Sequence, residues 1–255
     1  MPMVSNCAAA LQALDDELYV WSRMRRRPCF WWRDDDAYHD SLALQSLRKL
    51  LETQFLFLAV IPGLLSVDLV RMIEPGAPVR VLQHGWAHTN HAASGENPSE
   101  FPPHRPLGAI ERELRAGQAI LSGAFPGIFH RVFVPPWHRC ANWILRDAVR
   151  LGFEGISLQS PLFPLLKRGY PGETNIDIDL CDWTCNGAFI GTERLAVLLV
   201  RALKLRRDWQ QQDTPVGILS HHALLTAADF GSLSVFLQLL RCHNADWTET
   251  QTLFP

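Results

Sequence analysis

Histidines and aspartates in this chain gather in a few short segments whose residue types suit holding a metal ion and moving protons. Arg33-Asp34-Asp35-Asp36 sets three carboxylates side by side, and His84-Gly85-Trp86-Ala87-His88-Thr89-Asn90-His91 carries three imidazoles within eight residues. Pro135-Pro136-Trp137-His138-Arg139 joins two rigid prolines to an indole, an imidazole and a guanidinium, while Asp182-Trp183 and Ser220-His221-His222 add further polar groups. Six of the ten histidines fall in three of these segments, which a random scatter would not produce. Imidazole with carboxylate suits zinc, cobalt, nickel or ferrous iron, and a set of two histidines and one aspartate leaves positions open for water and substrate. His84 and His88, four apart, can share one side of a helical turn and reach one ion; His88 and His91, three apart, form the alternative pair. Three adjacent carboxylates repel one another, so burying them requires a cation or an arginine. One of them can ligate a metal while a neighbour acts as general base, although the triplet alone reads equally well as a solvated loop or the cap of a following helix. His221 and His222 end a strand, so one faces the site, where it can serve as a general acid titrating near working pH.

These segments need a frame that brings them together. Residues 6–25 show apolar Leu11, Leu14, Leu18 and Trp21 at helical spacing, and helices are also expected over 41–52, 108–123, 142–152, 192–207 and 227–241. Short apolar strands are expected at 29–33, 55–61, 79–84, 130–136, 152–158, 175–180 and 216–222, most followed by a helix. Residues 92–105, rich in Pro, Ser, Gly and Asn, read as a loop over the surface. The alternation argues for an α/β fold with a parallel sheet and helices outside it, either a (β/α) barrel or an open doubly wound sheet. Both place ligand chemistry at the carboxyl ends of the strands, and that is where the polar segments fall.

Composition narrows the field. Lys and Arg total 24 against 26 Asp and Glu, which argues against a nucleic-acid partner. No stretch reaches the roughly 18 apolar residues of a membrane span, and Pro62-Gly63 breaks the longest candidate. The N-terminal segment lacks the order of a secretory signal, and the six scattered cysteines read as reduced thiols, so a cytoplasmic location is expected. Cys181 and Cys185 are spaced by four, but no second cysteine pair lies near to complete a zinc knuckle. No linker divides the chain, so one domain over 1–255 is expected, with residues 1–27 as an N-terminal helix packed on it.

Taken in order, RDDDA (33–37), HGWAH (84–88), FVPPWH (133–138), DLCDW (179–183) and LSH (219–221) resemble the motif series of the polysaccharide deacetylases, the carbohydrate esterases of family four. That series runs Asp-Asp, His-Ser/Thr-x-x-His, Arg-Pro-Pro-Tyr, Asp-x-x-Asp/Arg-Trp and Leu-x-His, and the match in order and spacing extends from about residue 28 to 222. The resemblance implies a distorted (β/α)7 barrel that removes an acetyl group, as an N-acetyl amide or O-acetyl ester, from a carbohydrate. It implies one divalent ion, zinc before cobalt, nickel or iron, held by Asp36, His84 and His88. Asp35 would be the general base and His221 the general acid, and Trp137, Trp183, Pro136, Arg139 and Asp182 would contact the sugar. Sliding the register back by one makes Asp35 the ligand and Asp34 the base, and His91 or His222 could replace one of the assigned histidines.

Three departures from the series matter. Gly85 stands where the family has Ser or Thr, which removes a hydroxyl that helps fix the site. Val134 stands where the family has the arginine that orients the base, with Arg33 and Arg139 the candidates to replace it. His138 takes the place of a glycine and could narrow the cleft. Two rival readings follow: a carbohydrate-binding barrel that lost turnover with the arginine, and an amide hydrolase acting on a non-sugar substrate. The sequence leaves the metal, the sugar and the oligomeric state open.

Overall fold

A computed structural model of the protein describes residues 3–74, 76–159, 169–170, 172–248 and 253–254. Its strands in chain order are β1 (Cys29–Ala37), β2 (Leu56–Val60), β3 (Val79–His84), β4 (Phe129–Val134), β5 (Gly155–Ile156), β6 (Ile178–Asp179), β7 (Cys181–Asp182), β8 (Ala188–Phe189), β9 (Val216–Ser220) and β10 (Asp246–Trp247). The main sheet follows the order β5-β4-β3-β2-β1-β9-β6, with every neighbouring pair parallel. The short β10 pairs with the first residues of β1, and β7 and β8 form a separate antiparallel pair. Helices α1 (Met3–Arg23), α2 (Leu42–Leu50), α3 (Val67–Met72), α4 (Leu107–Ala124), α5 (Asn142–Arg146), α6 (Gly191–Asp208) and α7 (Ala227–Cys242) lie among them in the chain.

The sheet curls so that its edges approach through one bridging segment. Residues 173–176 run parallel to β5, with Ile156 opposite Glu173 and Gln159 opposite Ile176, and Asp177 N then donates to Gly217 O of β9. The result is the distorted seven-stranded α/β barrel that the motif series implies. Alternation along the strands sorts side chains into an inner and an outer set. Inside, Trp31, Phe57, Leu82, Val132, Ile176, Leu219 and Phe254 form one packed cluster, with the Trp31 ring edge-on to Phe57 and Phe254. Outside, Phe30, Trp32, Leu56 and Ile218 pack on α1, α6 and α7, and Leu58, Val60, Val79 and Val81 pack with residues of α2, α3 and α4.

Several expected elements change extent. The first strand runs on to Ala37 rather than stopping at Arg33, so the acidic triplet lies within the central strand and not in a loop after it. The expected helix over 142–152 is only Asn142–Arg146, because tight turns leading to Gly152, at a φ of +92°, end it. Helix α3 was not expected; six residues are too few to establish a period. The strands expected over 152–158 and 175–180 shrink to two residues each. The loop over 92–105 is not confined to the surface, since Ser99, Glu100 and Phe101 are buried. Among the described residues no helix is long and apolar enough to cross a membrane, and no disulfide forms.

One buried ion pair secures the closing edge. Arg206 of α6 donates to both oxygens of Asp177 at 3.0 Å and to the carbonyls of Thr214 and Pro215, while Asp177 also accepts from Gly217 N at 2.6 Å. Arg206 is 1% exposed, so removing it strands a carboxylate in the core. Arg206→Met is expected to cost about 3–5 kcal/mol in chemical denaturation. A loss below 1 kcal/mol would show that the pair does not hold this edge.

Candidate active site

The inward rows of the barrel end in polar residues at the carboxyl end of the sheet. Arg33 and Asp35 follow Trp31 on β1, His84 follows Leu82 on β3, and His221 follows Leu219 after β9. Asp34, of opposite parity, points outward, where its Oδ2 accepts from Ser220 Oγ (2.6 Å) and His222 N (2.9 Å) and its Oδ1 lies 2.5 Å from His222 Nδ1. Burial alone would lower the His222 pKa, but the Asp34 carboxylate outweighs it and raises it. In a regular strand Asp36 would also face outward. A β-bulge prevents this: Asp34 pairs with Leu58 but Ala37 pairs with Val60, so β1 has one extra residue there, and Asp36 takes a left-handed φ of +67°. The bulge turns Asp36 over to the barrel mouth.

There Asp36 meets two histidines. Its Oδ1 lies 3.0 Å from His84 Nε2 and 3.2 Å from His88 Nε2. His84 Nδ1 is 3.1 Å from the Val134 carbonyl, which can only accept, so in the neutral ring Nδ1 carries the proton and Nε2 presents a lone pair to the carboxylate. Asp36 Oδ1 is buried without a hydrogen bond of good geometry. One carboxylate oxygen and two imidazole lone pairs converging in this way fit a divalent cation with nitrogen and oxygen ligands. His88 does not reach this position on a helical turn. The backbone leaves β3 through Gly85 at a φ of +57°, and His88 itself is left-handed at +54°. His91 lies apart and exposed, its carbonyl accepting from His104.

Asp35 is held differently. Arg33 Nε donates to Oδ1 at 2.8 Å and Nη2 to Oδ2 at 3.0 Å, while Nη1 crosses the barrel to Ser157 Oγ at 2.6 Å. Both partners of this bidentate pair are fully buried. Burial works against ionising Asp35, yet the Arg33 guanidinium prevails and holds its carboxyl below the usual range. Val134, inward on β4, supplies no such charge; its carbonyl orients His84 instead.

These groups line one cavity of about 520 Å³ together with Trp137, His138, Arg139, Gln159, Trp183 and His221. The Trp137 ring packs on His88 with centroids 4.2 Å apart, and Trp183, 58% exposed, stands edge-on to His221 at 4.9 Å. Trp137 and His138 are consecutive left-handed residues, a strained arrangement that Pro135 and Pro136 hold in place. Burial, reinforced by Arg33, drives the His138 pKa down to about 3, so its ring is neutral. Pro136 and Asp182 do not line the cavity. Pro136 is buried against Gly85, and Asp182 caps Thr184 and pairs with Arg194. Trp86 does not line the cavity but packs on a hydrophobic cluster that includes Phe101 and Phe133.

Glu100 is a site-forming residue that nothing local in the sequence signals. Its carboxylate accepts from Trp86 N (3.0 Å) and Ala87 N (2.6 Å), fastening the loop that carries both histidines. A Cβ at Gly85 would collide with Glu100 Oε2 and approach Pro136 Cγ to 2.6 Å. Glycine at 85 thus makes room for the Glu100 carboxylate.

No protein-family model and no curated protein matches this sequence. Solved structures do match its fold. They include a family 4 acetyl xylan esterase from Clostridium thermocellum in complex with a cobalt ion (TM-score 0.56, 11% identity, 89% of this chain and 90% of that one). A peptidoglycan N-acetylglucosamine deacetylase matches with a TM-score of 0.55 at 12% identity, over 89% of this chain and 87% of that one. A mutant of a carbohydrate esterase family 4 pseudoenzyme with restored enzymatic activity also matches (0.55, 13%, 90% and 68%). The chain therefore has the fold seen in family 4 carbohydrate esterases, as its motif order implies, at identities that speak for the fold alone.

Gly85→Ser is expected to destabilise the protein by about 3 kcal/mol, through left-handed strain and overpacking against Glu100. Glu100→Ala should recover part of that loss in the Gly85→Ser background, while destabilising the otherwise unaltered protein. Additive losses in the double variant would contradict the shared space.

Proposed function

We propose that this chain is a metal-dependent deacetylase that hydrolyses an acetyl amide or acetyl ester on a carbohydrate, and a divergent member of the polysaccharide deacetylase family. The observation that carries the reading is the joint placement of an Asp36-His84-His88 donor set, an arginine-anchored Asp35 and His221 around one tryptophan-walled cleft. Asp36, His84 and His88 would hold one divalent ion, zinc before cobalt, nickel or iron, whose Lewis acidity would act on the acetyl carbonyl and the attacking water.

The chain's own groups supply the remainder. Asp35 is kept ionised by Arg33 in a buried setting, and each of its oxygens retains a lone pair after the bidentate contact, so it can accept the proton of water. His221, across the cavity, delivers a proton to the departing amine or alkoxide. Trp137 and Trp183 offer flat apolar walls on which pyranose faces can stack, and Arg139 offers donors to sugar hydroxyls at the rim. Arg33 performs the orienting task for which Val134 has no charge. The rival binding-only reading stands on Val134 in place of the family's arginine, and the bidentate Arg33–Asp35 pair supports turnover over it.

Metal analysis together with acetate release from acetylated oligosaccharides tests this reading. Asp36→Asn and His84→Ala are expected to lose most of the bound metal and at least about 10³-fold in hydrolysis. Asp35→Asn is expected to keep the metal and lose about 10²–10⁴-fold in kcat. Arg33→Met should behave like Asp35→Asn, with Arg33→Lys intermediate because it keeps the charge but loses the fork. Unchanged metal content and hydrolysis in Asp36→Asn and His84→Ala would sink the proposal. Faster turnover of acetylated non-sugar amines than of any acetylated sugar would move the assignment to the amide-hydrolase reading.

A further inference from the structure

Behind His221 lies a second group of ligand-type side chains. Asp179 ends β6, Cys181 begins β7 and His221 follows β9, and one donor atom from each lies within 4.8 Å of the others. Cys181 Sγ is 3.7 Å from His221 Nδ1, so a thiol meets the ring nitrogen that leaves Nε2 for the cleft. Asp179 accepts from Cys181 N at 2.9 Å through Oδ1 and from Trp183 Nε1 at 2.8 Å through Oδ2. Each of those oxygens keeps a lone pair.

A carboxylate oxygen, a sulfur and an imidazole nitrogen gathered in one buried group are a donor set that suits a borderline-soft divalent ion. The thiol is 5% exposed, and the neighbouring Trp183 indole, 58% exposed, donates to Asp179 and stands edge-on to His221.

We propose that Asp179, Cys181 and His221 form a second, sulfur-containing cation site, selective for zinc-like over magnesium-like ions, whose occupation shuts off turnover. On binding, the Cys181 thiol loses its proton to solvent, and the thiolate sulfur, an Asp179 oxygen and His221 Nδ1 donate lone pairs to the ion. His221 then carries its proton on Nε2. Giving it up would leave an imidazolate on the ion, so the ring no longer acts as an acid near neutral pH. The site itself is independent of the proposed function; only the inhibitory consequence rests on the role given to His221. Because the Cys181 thiol must lose its proton for the ion to bind, whereas the Asp36 site needs no such loss, this site is expected to fill after the Asp36 site at neutral pH.

Metal-free protein titrated with Co²⁺ tests the proposal, with the near-ultraviolet sulfur-to-cobalt charge-transfer band and acetate release followed together. Two equivalents are expected to bind. The band should grow with the second, and acetate release should fall about tenfold or more as it grows. Cys181→Ser should abolish the band and the fall while retaining the first equivalent, and Cys185→Ser, at the exposed neighbouring thiol, should retain the band. Asp179→Asn keeps the thiol and should weaken the second equivalent about tenfold or more, which covers the case in which Cys181→Ser does not fold. One equivalent with no band, or a band that survives Cys181→Ser, would overturn the site. A band that grows without loss of hydrolysis would overturn the inhibition. If no hydrolysis is found at any cobalt level, the proposed function fails, and the band and stoichiometry still decide the site.

Discussion

Three consecutive carboxylates on the central strand, two of them fully buried and the third at the cavity mouth, are the constraint around which this structure is arranged. Asp34, Asp35 and Asp36 repel one another, and the barrel cannot bury them unless each is compensated separately. Strand parity and one bulge send them three ways: outward to His222 and Ser220, inward to Arg33, and over the mouth to His84 and His88. The compensating groups come from β1 itself, β3, the loop after it and the end of β9. Satisfying the triplet therefore ties the strands together and builds the site in the same contacts. Among the described residues no lysine or arginine pairs with Asp36, and its partners are the two imidazoles, a setting that suits a cation.

Near each departure from the motif series a charged side chain makes buried contacts of its own. Where an arginine would precede the prolines, Val134 contributes an apolar side chain to the inner core and a carbonyl to His84. The guanidinium sits instead two residues before the third aspartate's neighbour, on the same face of the same strand as Asp35. Where a hydroxyl would follow the first histidine, Gly85 admits Glu100 from a distant loop.

Much of the frame was legible in the sequence because apolar periodicity is local. The third strand, Val79–His84, appears at its expected limits, and α4, α6 and α7 lie within about a residue or two of theirs. The five polar segments do gather at the strand ends. What local reading missed is what depends on distant partners or on exceptions to regular geometry. The apolar run CFWWR predicts a first strand ending at Arg33, whereas the strand runs on to Ala37, and the parity that sends Asp35 inward beside Arg33 lies in that unpredicted extension. The bulge at Asp36 and the left-handed His88 have no composition signal, since neither position is glycine. Glu100 was hidden in a proline-rich stretch that reads as surface, and only its contact with the loop at 85–87 reveals it.

The division of labour within the acidic triplet is the central claim, and locating the metal tests it most directly. An anomalous-difference map at the metal edge, from crystals grown with one equivalent of zinc, should show one peak at about 2.0–2.2 Å from Asp36 Oδ1, His84 Nε2 and His88 Nε2. Asp35 should remain on Arg33, and Asp34 on His222. A peak ligated by Asp34 or Asp35 in place of Asp36, or no peak among these residues, would contradict the account.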